Sequence, residues 1–182
     1  ELELRTCQWV RDLVGLPADF EGHIEDTAST STLVALAAAR HRVTDGEVRT
    51  SGLHGLPRLR VYCSEEAHSS VERACIVLGL GVEGCRRVAT DAAFRLDPEA
   101  LRAAIAADRD RGVLPMAVVA TVGTTSTTSI DPVPEIAAIC AEHDLWLHVD
   151  AAYGGAMGAS AKLRWVLDGV DRADSVVINP HK

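Results

Sequence analysis

The sequence predicts an α/β fold in which a mostly parallel sheet is covered by helices on both faces. Short apolar runs rich in β-branched residues recur along the chain, and stretches with helical spacing separate them. The run from Met116 to Val122 is largely apolar, as expected for a strand that is buried on both faces. With 182 residues, of which 47% are hydrophobic, the chain can bury one substantial core.

The first part of the chain is predicted to be helical. Leu2 to Val14 carries apolar residues at helical spacing and is followed by the helix breakers at positions 15–17. A second helix is predicted from about Thr32 to Arg42, with the hydroxyls of the polar cluster 27–31 as its caps. The stretch from Glu47 to Pro57 is rich in glycine and polar residues and predicts a loop.

From residue 59 onward, predicted strands and helices alternate. Residues 79–84 match the G-x-G-x-x-G pattern of dinucleotide-binding proteins, but they end a helix and enter a strand, the reverse of what that pattern requires. We therefore interpret them as a helix stop and a turn. The predicted strands are Leu59–Tyr62, Arg86–Ala89, Met116–Val122, Leu145–Val149 and Ser175–Ile178, and the predicted helices are Ser70–Leu80, Pro98–Ala107, Pro134–Glu142 and Ala161–Leu167.

The composition bears on the partners. A formal net charge of -8 argues against nucleic acid, because phosphate binding requires concentrated lysine and arginine. No apolar run reaches membrane-spanning length and the N-terminal residues do not form a secretory signal, so we expect no membrane partner and a cytoplasmic protein. Five cysteines without a C-x-x-C pair predict reduced thiols and no metal site. Small molecules are the expected partners.

The predicted sheet indicates where a functional site would lie. Open parallel sheets bind ligands beyond the carboxyl ends of their strands, so the polar residues that follow each strand are expected to converge. A histidine, a hydroxyl, a carboxylate and an amine on one edge form a reactive set. The residues at these positions are Glu65, Glu66, His68, Thr124, Thr125, Asp150, Asn179, His181 and Lys182.

Only two of the 18 basic residues, Lys162 and Lys182, are lysines, and the others are arginines. A lysine amine with a lowered pKa can form a Schiff base, whereas an arginine does not readily lose its proton. Lys182 follows a predicted strand and is therefore a candidate for chemistry. Lys162 lies in a predicted exposed helix, where chance retention explains it.

Four segments resemble the group II decarboxylases that depend on pyridoxal 5'-phosphate (PLP), in that family's order and nearly its spacing. The sequence around His68 is most similar to that of the aromatic-L-amino-acid decarboxylases. The resemblance covers the whole chain and implies that residues 1–182 are an incomplete PLP-binding large domain of fold type I, without the N-terminal segment, the catalytic loop and the small C-terminal domain. The four segments are Thr27–Leu36, Ala67–Ala74, His148–Gly155 and Asn179–Lys182.

The resemblance also implies roles for individual residues. Lys182 would form a Schiff base with PLP, and Asp150 would pair with the pyridine nitrogen, which makes the ring an electron sink. His68 would stack on the ring, and Ala152 would pack against the opposite face. The remaining contacts would be Thr125 at the edge of the cofactor and Ala28, Ser29 and Asn179 at the phosphate.

Plainer explanations stay open for five of these residues. Asp150 could be a solvated aspartate at the end of a strand. The hydroxyl of Ser29 suits a helix cap as well as an anion site, and His68 could itself cap a helix. Thr125 lies in a loop rich in serine and threonine, where local hydrogen bonds are common. Asn179, the only asparagine in the chain, could shape the turn before Pro180.

The function implied by the resemblance is the decarboxylation of an L-amino acid to an amine and CO2 in a homodimeric enzyme. The sequence around His68 implies that the amino acid is aromatic. Two alternatives stay open. One is another PLP reaction, such as aldehyde synthesis, transamination or decarboxylation of glutamate or diaminobutyrate. The other is an inactive scaffold.

Overall fold

A computed structural model describes all 182 residues and contains one five-stranded, fully parallel sheet. The strands are β1 (Leu59–Ser64), β2 (Cys85–Val88), β3 (Leu114–Thr121), β4 (Trp146–Ala151) and β5 (Ser175–Ile178), in the order β2-β1-β3-β4-β5. The helices are α1 (Leu2–Val14), α2 (Ala28–Val43), α3 (Val48–Ser51), α4 (Ser70–Val77), α5 (Pro98–Asp110) and α6 (Val133–His143). Short 3-10 helices span Val82–Gly84, Gly154–Ala159, Arg164–Leu167 and Val170–Arg172.

Helices cover both faces of the sheet, as the sequence predicts. The alternating side chains of β3 show this: Val118 and Ala120 belong to one apolar cluster with α5 and α6, whereas Ala117 and Val119 belong to another with α2 and α4. All four are completely buried. Two separate cores therefore fix the sheet from above and below.

The start of α2 lies earlier than predicted. Only Thr27 caps the helix, by accepting a hydrogen bond from the N–H of Thr30 at 3.2 Å. The hydroxyls of Ser31 and Thr32 instead donate to carbonyls four residues back, so they lie inside the helix and not before it. A run of hydroxyl residues is thus compatible with a helix interior when each donates to the preceding turn.

Two further predicted segments differ. The predicted loop 47–57 contains the short helix α3, and the predicted helix Ala161–Leu167 forms only a 3-10 helix over its last four residues. The segment before it, Gly154–Ala159, is also a 3-10 helix that the sequence did not predict. A β-carbon on Gly154 would lie 2.7 Å from the carbonyl oxygen of Val122, so glycine permits this close approach.

The predicted turn at residues 79–84 is confirmed. Residues 79–84 form the turn between α4 and β2, with positive φ angles at Gly79 and Gly81. The five cysteines are free thiols. None of the helices has the length and apolar character needed to span a bilayer.

A buried ionic cluster joins α5 to the sheet. Asp108 is 1% exposed, and its carboxylate lies 2.9 Å from Arg86 Nη1 and 3.3 Å from Arg60 Nε. The hydroxyl of Tyr62 donates to the same carboxylate at 3.0 Å. Burial, followed by the charge of Asp108, raises the pKa of Tyr62, so the phenol stays protonated.

We expect Asp108→Asn to destabilise the protein by about 3 kcal/mol, because it leaves two partly buried guanidinium groups without their counter-charge. Urea unfolding followed by circular dichroism measures this loss. Asp110→Asn, at an exposed position of the same helix, is the matched control and should change stability by less than about 0.5 kcal/mol. Equal stabilities of the two variants would contradict the role of the cluster.

Candidate functional site

One cavity of about 490 Å³ lies at the carboxyl ends of the strands. Its volume falls within the range of small-molecule sites. The eight residues to which the resemblance gives a role at the cofactor all line it: Ala28, Ser29, His68, Thr125, Asp150, Ala152, Asn179 and Lys182.

Asp150 lies near the carboxyl end of β4, between β3 and the outer strand β5. It is 8% exposed, and its Oδ1 accepts a hydrogen bond from the N–H of Ala152 at 3.1 Å. This bond fixes the side chain and leaves Oδ2 without a protein donor. The carboxylate is therefore held by the backbone and still has an acceptor for a ligand.

His68 is fixed in a comparable way just before α4. Its Nδ1 accepts a hydrogen bond from the N–H of Ser70 at 3.2 Å, and the hydroxyl of Ser70 lies 3.0 Å from the same nitrogen. A nitrogen that accepts from a backbone N–H carries no proton, so the neutral ring is protonated at Nε2. His68 thus accepts the first N–H of α4, one residue before the N-cap Ser69, and lines the cavity at the same time.

The first turn of α2 also borders the cavity. Because Thr27 provides the cap, the hydroxyl of Ser29 is not used for that purpose. The N–H groups of Ala28 and Ser29 belong to the first turn and have no partner within the helix. A free N–H pair at the positive end of a helix favours an anion.

The chain after β5 makes a tight turn that ends at Lys182. Asn179 Oδ1 accepts a hydrogen bond from the N–H of His181 at 3.0 Å, and the N–H of Lys182 donates to the carbonyl of Asn179 at 3.1 Å. Asn179 therefore shapes the turn, while its amide nitrogen stays free to donate. The turn brings Lys182 to the cavity that Asp150 also lines.

The loop after β3 is held by hydrogen bonds between its own hydroxyls. Thr124 Oγ1 lies 2.7 Å from Thr127 Oγ1 and accepts from the N–H of Ser129 at 2.9 Å. These bonds do not use Thr125, which is exposed and lines the cavity. The local hydrogen bonds expected from the sequence are present, but they involve the neighbours of Thr125.

Sequence reasoning did not identify every residue of the cavity. Glu65, Glu66 and His181 were expected at this edge, but none of them lines the cavity. The signals that were available were the polar residues at the helix caps and the glycine that permits a close approach. Residues that line it without having been singled out are Thr27, Ser70, Thr121, Gly123, Thr128 and Tyr153.

Asp131 stabilises the part of the cavity wall that β3 provides. Its two carboxylate oxygens accept hydrogen bonds from the N–H of Leu96 at 2.7 Å and from that of Thr121 at 2.8 Å. The residue is 2% exposed, and burial raises its pKa to about 6 in spite of these two donors. Thr121 lines the cavity, so this carboxylate holds part of its wall.

The donor set of the cavity fits PLP. An amine can hold an aldehyde, a carboxylate can pair with a pyridinium, and a free helix N-terminus can hold a phosphate. The hydroxyl oxygen of Thr121 is buried at the wall without a hydrogen-bond partner, as expected for a group that awaits a ligand.

This parallel sheet, with an amine and a carboxylate at one carboxyl edge, defines a domain of the PLP-binding class. The family model described as the pyridoxal-dependent decarboxylase conserved domain matches residues 1–182. The chain therefore belongs to the pyridoxal-dependent decarboxylase family.

Individual relatives agree with this family. An aromatic-L-amino-acid decarboxylase of Manduca sexta is 40% identical over 100% of this chain and 38% of its own length. A phenylacetaldehyde synthase of Arabidopsis thaliana is 38% identical over 100% of this chain and 38% of its own length. The crystal structure of Oryza sativa TDC with PLP and tryptamine superposes with a TM-score of 0.92 at 37% identity, over 100% of this chain and 39% of that one. The chain thus spans about two fifths of the length of these relatives.

We expect the stability of the protein to fall, relative to that of Asp131→Asn, as pH rises from about 4 to 6. The pKa of Asp131 is about 6 in the folded protein and near 3.8 when exposed, so the folded state binds the proton more tightly and loses this advantage as the group ionises. The difference amounts to up to about 3 kcal/mol, at about 1.4 kcal/mol per pKa unit. Urea unfolding at several pH values measures it, and parallel curves for the two proteins would contradict the assignment.

Proposed function

We propose that the protein containing this chain decarboxylates an aromatic L-amino acid to its amine and CO2 with PLP. The observation that carries this proposal is the single cavity that both Asp150 and Lys182 line. The aromatic substrate is supported by the similarity to the aromatic-L-amino-acid decarboxylase and by the sequence of the segment around His68. Bound PLP supplies an electron sink for the electron pair that remains on the α-carbon when CO2 leaves.

Asp150 would keep the pyridine nitrogen protonated. Its Oδ1 is already bonded to the N–H of Ala152, so the free Oδ2 is available to a ring N–H. A carboxylate that is largely shielded from water interacts strongly with an opposite charge, since the local dielectric is low. The positive ring nitrogen that results is the condition for the electron sink.

Lys182 would bind the aldehyde carbon of the cofactor through Nζ and release it to the amino group of the substrate. The tight turn at Asn179 supports this, because it fixes the backbone from which the flexible lysine side chain extends. His68 would lie against one face of the ring and Ala152 against the other. The small side chain of Ala152 is 4% exposed, and a larger one would occupy the cavity.

The phosphate would lie at the first turn of α2. The N–H groups of Ala28 and Ser29, the hydroxyl of Ser29 and the amide nitrogen of Asn179 are the donors that support this placement. Thr125 would contact the edge of the cofactor with a hydroxyl that the hydrogen bonds of its loop leave free. With the phosphate and the ring nitrogen both held, the cofactor has one orientation.

A second reaction of the same cofactor remains a candidate. The similarity to a phenylacetaldehyde synthase supports an oxidative reaction in which an aromatic amino acid, O2 and water give an aldehyde, CO2, ammonia and hydrogen peroxide. The residues of this cavity would hold PLP equally well for either reaction. We also propose that the intact enzyme is a cytoplasmic homodimer, as its resemblance to the family implies.

We expect borohydride reduction of the PLP-loaded intact protein to attach a pyridoxyl group to Lys182, because that amine lines the cavity. Peptide mass mapping locates the group. Lys162, the other lysine of the chain, is exposed and outside the cavity, so it is an internal control. A group attached to Lys162, or one that persists in Lys182→Ala, would remove Lys182 from its role.

We expect the intact enzyme to convert an aromatic L-amino acid to its amine and one equivalent of CO2 without ammonia. Chromatography of the products, with an enzymatic ammonia assay, distinguishes this reaction from aldehyde synthesis, which also releases ammonia and forms no amine. Glutamate and diaminobutyrate serve as comparison substrates. Turnover of either one in preference to aromatic amino acids would contradict the aromatic assignment.

A further inference from the structure

A buried histidine lies on the same strand as Asp150 and belongs to no role described so far. His148 precedes Asp150 by two residues on β4, so both side chains lie on the same face of the sheet. His148 is 1% exposed, and its Nδ1 lies 2.9 Å from the hydroxyl oxygen of Ser175 on β5. The indole N–H of Trp146 donates to that same oxygen at 2.8 Å.

This chain of contacts favours one tautomer of His148. The indole of Trp146 can only donate, so it occupies one lone pair of Ser175 Oγ, and the hydroxyl hydrogen of Ser175 can then be donated to His148 Nδ1. A ring that accepts at Nδ1 carries its single proton at Nε2. Burial lowers the pKa of His148 to about 4, against the opposing effects of the Asp150 charge and of a hydrogen bond with the backbone of Ser175, so the ring is neutral near pH 7.

The Nε2 atom of His148 is buried and has no hydrogen-bond partner. Buried polar atoms without partners are rare in folded proteins, and each one calls for an explanation. The charged group whose field acts on this ring is Asp150, whose own carboxylate accepts only one hydrogen bond, from Ala152. A buried carboxylate with a single donor gains from a further positive dipole nearby.

We propose that His148 is a positioning residue that stabilises the negative charge of Asp150 through a proton held at Nε2 by Ser175 and Trp146. This inference rests on the proposed function, in which Asp150 pairs with the pyridine nitrogen of PLP. His148 touches neither substrate nor cofactor and acts only through Asp150. Without His148, the proton between the carboxylate of Asp150 and the pyridine nitrogen of PLP would lie closer to the carboxylate.

The first test needs no cofactor. Nitrogen-15 NMR of the intact protein labelled at histidine reports which ring nitrogen of His148 is protonated, and the resonances are assigned by their loss in His148→Gln. We expect a protonated Nε2 and an unprotonated Nδ1 at pH 7. A proton on Nδ1 would overturn the proposal, because the dipole would then have the opposite sense.

The second test follows the ring nitrogen of bound PLP labelled with nitrogen-15. In His148→Leu we expect the resonance of the PLP ring nitrogen to move toward its unprotonated position. We also expect kcat to fall about tenfold, which corresponds to a change of one unit in the pKa difference between Asp150 and the ring nitrogen. His148→Gln, whose amide N–H can replace Nε2–H, should restore both within about twofold. If His148→Leu does not fold, Ser175→Ala replaces it, since it removes the hydroxyl that selects the tautomer.

Asp150→Asn separates the two proposals. If the ring nitrogen stays protonated in Asp150→Asn, the assignment of Asp150 in the proposed function fails. If Asp150→Asn loses the ring proton while folded His148→Leu, or Ser175→Ala in its place, keeps it, only the role of His148 fails. A histidine that merely fills space would alter stability without moving the nitrogen resonance of the cofactor.

Discussion

The site depends on one constraint, which is that all five strands run in the same direction. Every carboxyl end then lies at a single edge, and short segments after β1, β3, β4 and β5 bring their side chains to one cavity. In the order β2-β1-β3-β4-β5, the chain places β2 on one side of β1 and then places β3, β4 and β5 on the other side. The direction in which strands are added therefore reverses between β1 and β3. A crevice at such a reversal is where open parallel sheets provide room for a ligand.

Three polar side chains of this edge share a second property: each forms one hydrogen bond with a neighbouring backbone N–H and keeps another polar atom free. Asp150 binds the N–H of Ala152 through Oδ1, His68 binds that of Ser70 through Nδ1, and Asn179 binds that of His181 through Oδ1. These bonds restrict the rotamers before any ligand arrives. The entropy lost on binding is smaller for side chains that are already restricted.

Much of the fold was readable from the sequence because its strongest signals are local. The apolar strands and the Asp97–Pro98 helix start depend on residues close in sequence, and the structure has them at nearly the predicted positions. The misplaced start of α2 and the missing helix at residues 161–167 have a different origin. At the start of α2, the hydroxyls of Ser31 and Thr32 donate to carbonyls of the preceding turn, so these residues continue the helix. At residues 164–167 the chain forms a 3-10 helix that contacts the 3-10 helix Gly154–Ala159.

The site was predictable in part for a related reason. Residues that follow strands could be placed at one edge from topology alone, which brings Asp150 and Lys182 together, and the family resemblance gave each residue a role. The same reasoning wrongly placed Glu65, Glu66 and His181 at the cavity, because position after a strand does not determine where a side chain points. Asp131 was missed because its two donors, Leu96 and Thr121, are distant in sequence.

His148 illustrates how a strand can support chemistry away from its end. Successive side chains of a strand point to opposite faces of the sheet, so Trp146, His148 and Asp150 of β4 lie on one face. They form a line of polar groups that runs under α2 toward the cavity. On the other face of β4, Leu147 and Val149 belong to the apolar core. A polar line retained inside a core costs stability unless its charge or dipole is used. The orientation of that line toward Asp150 therefore connects the interior of the sheet to the electrostatics of the site.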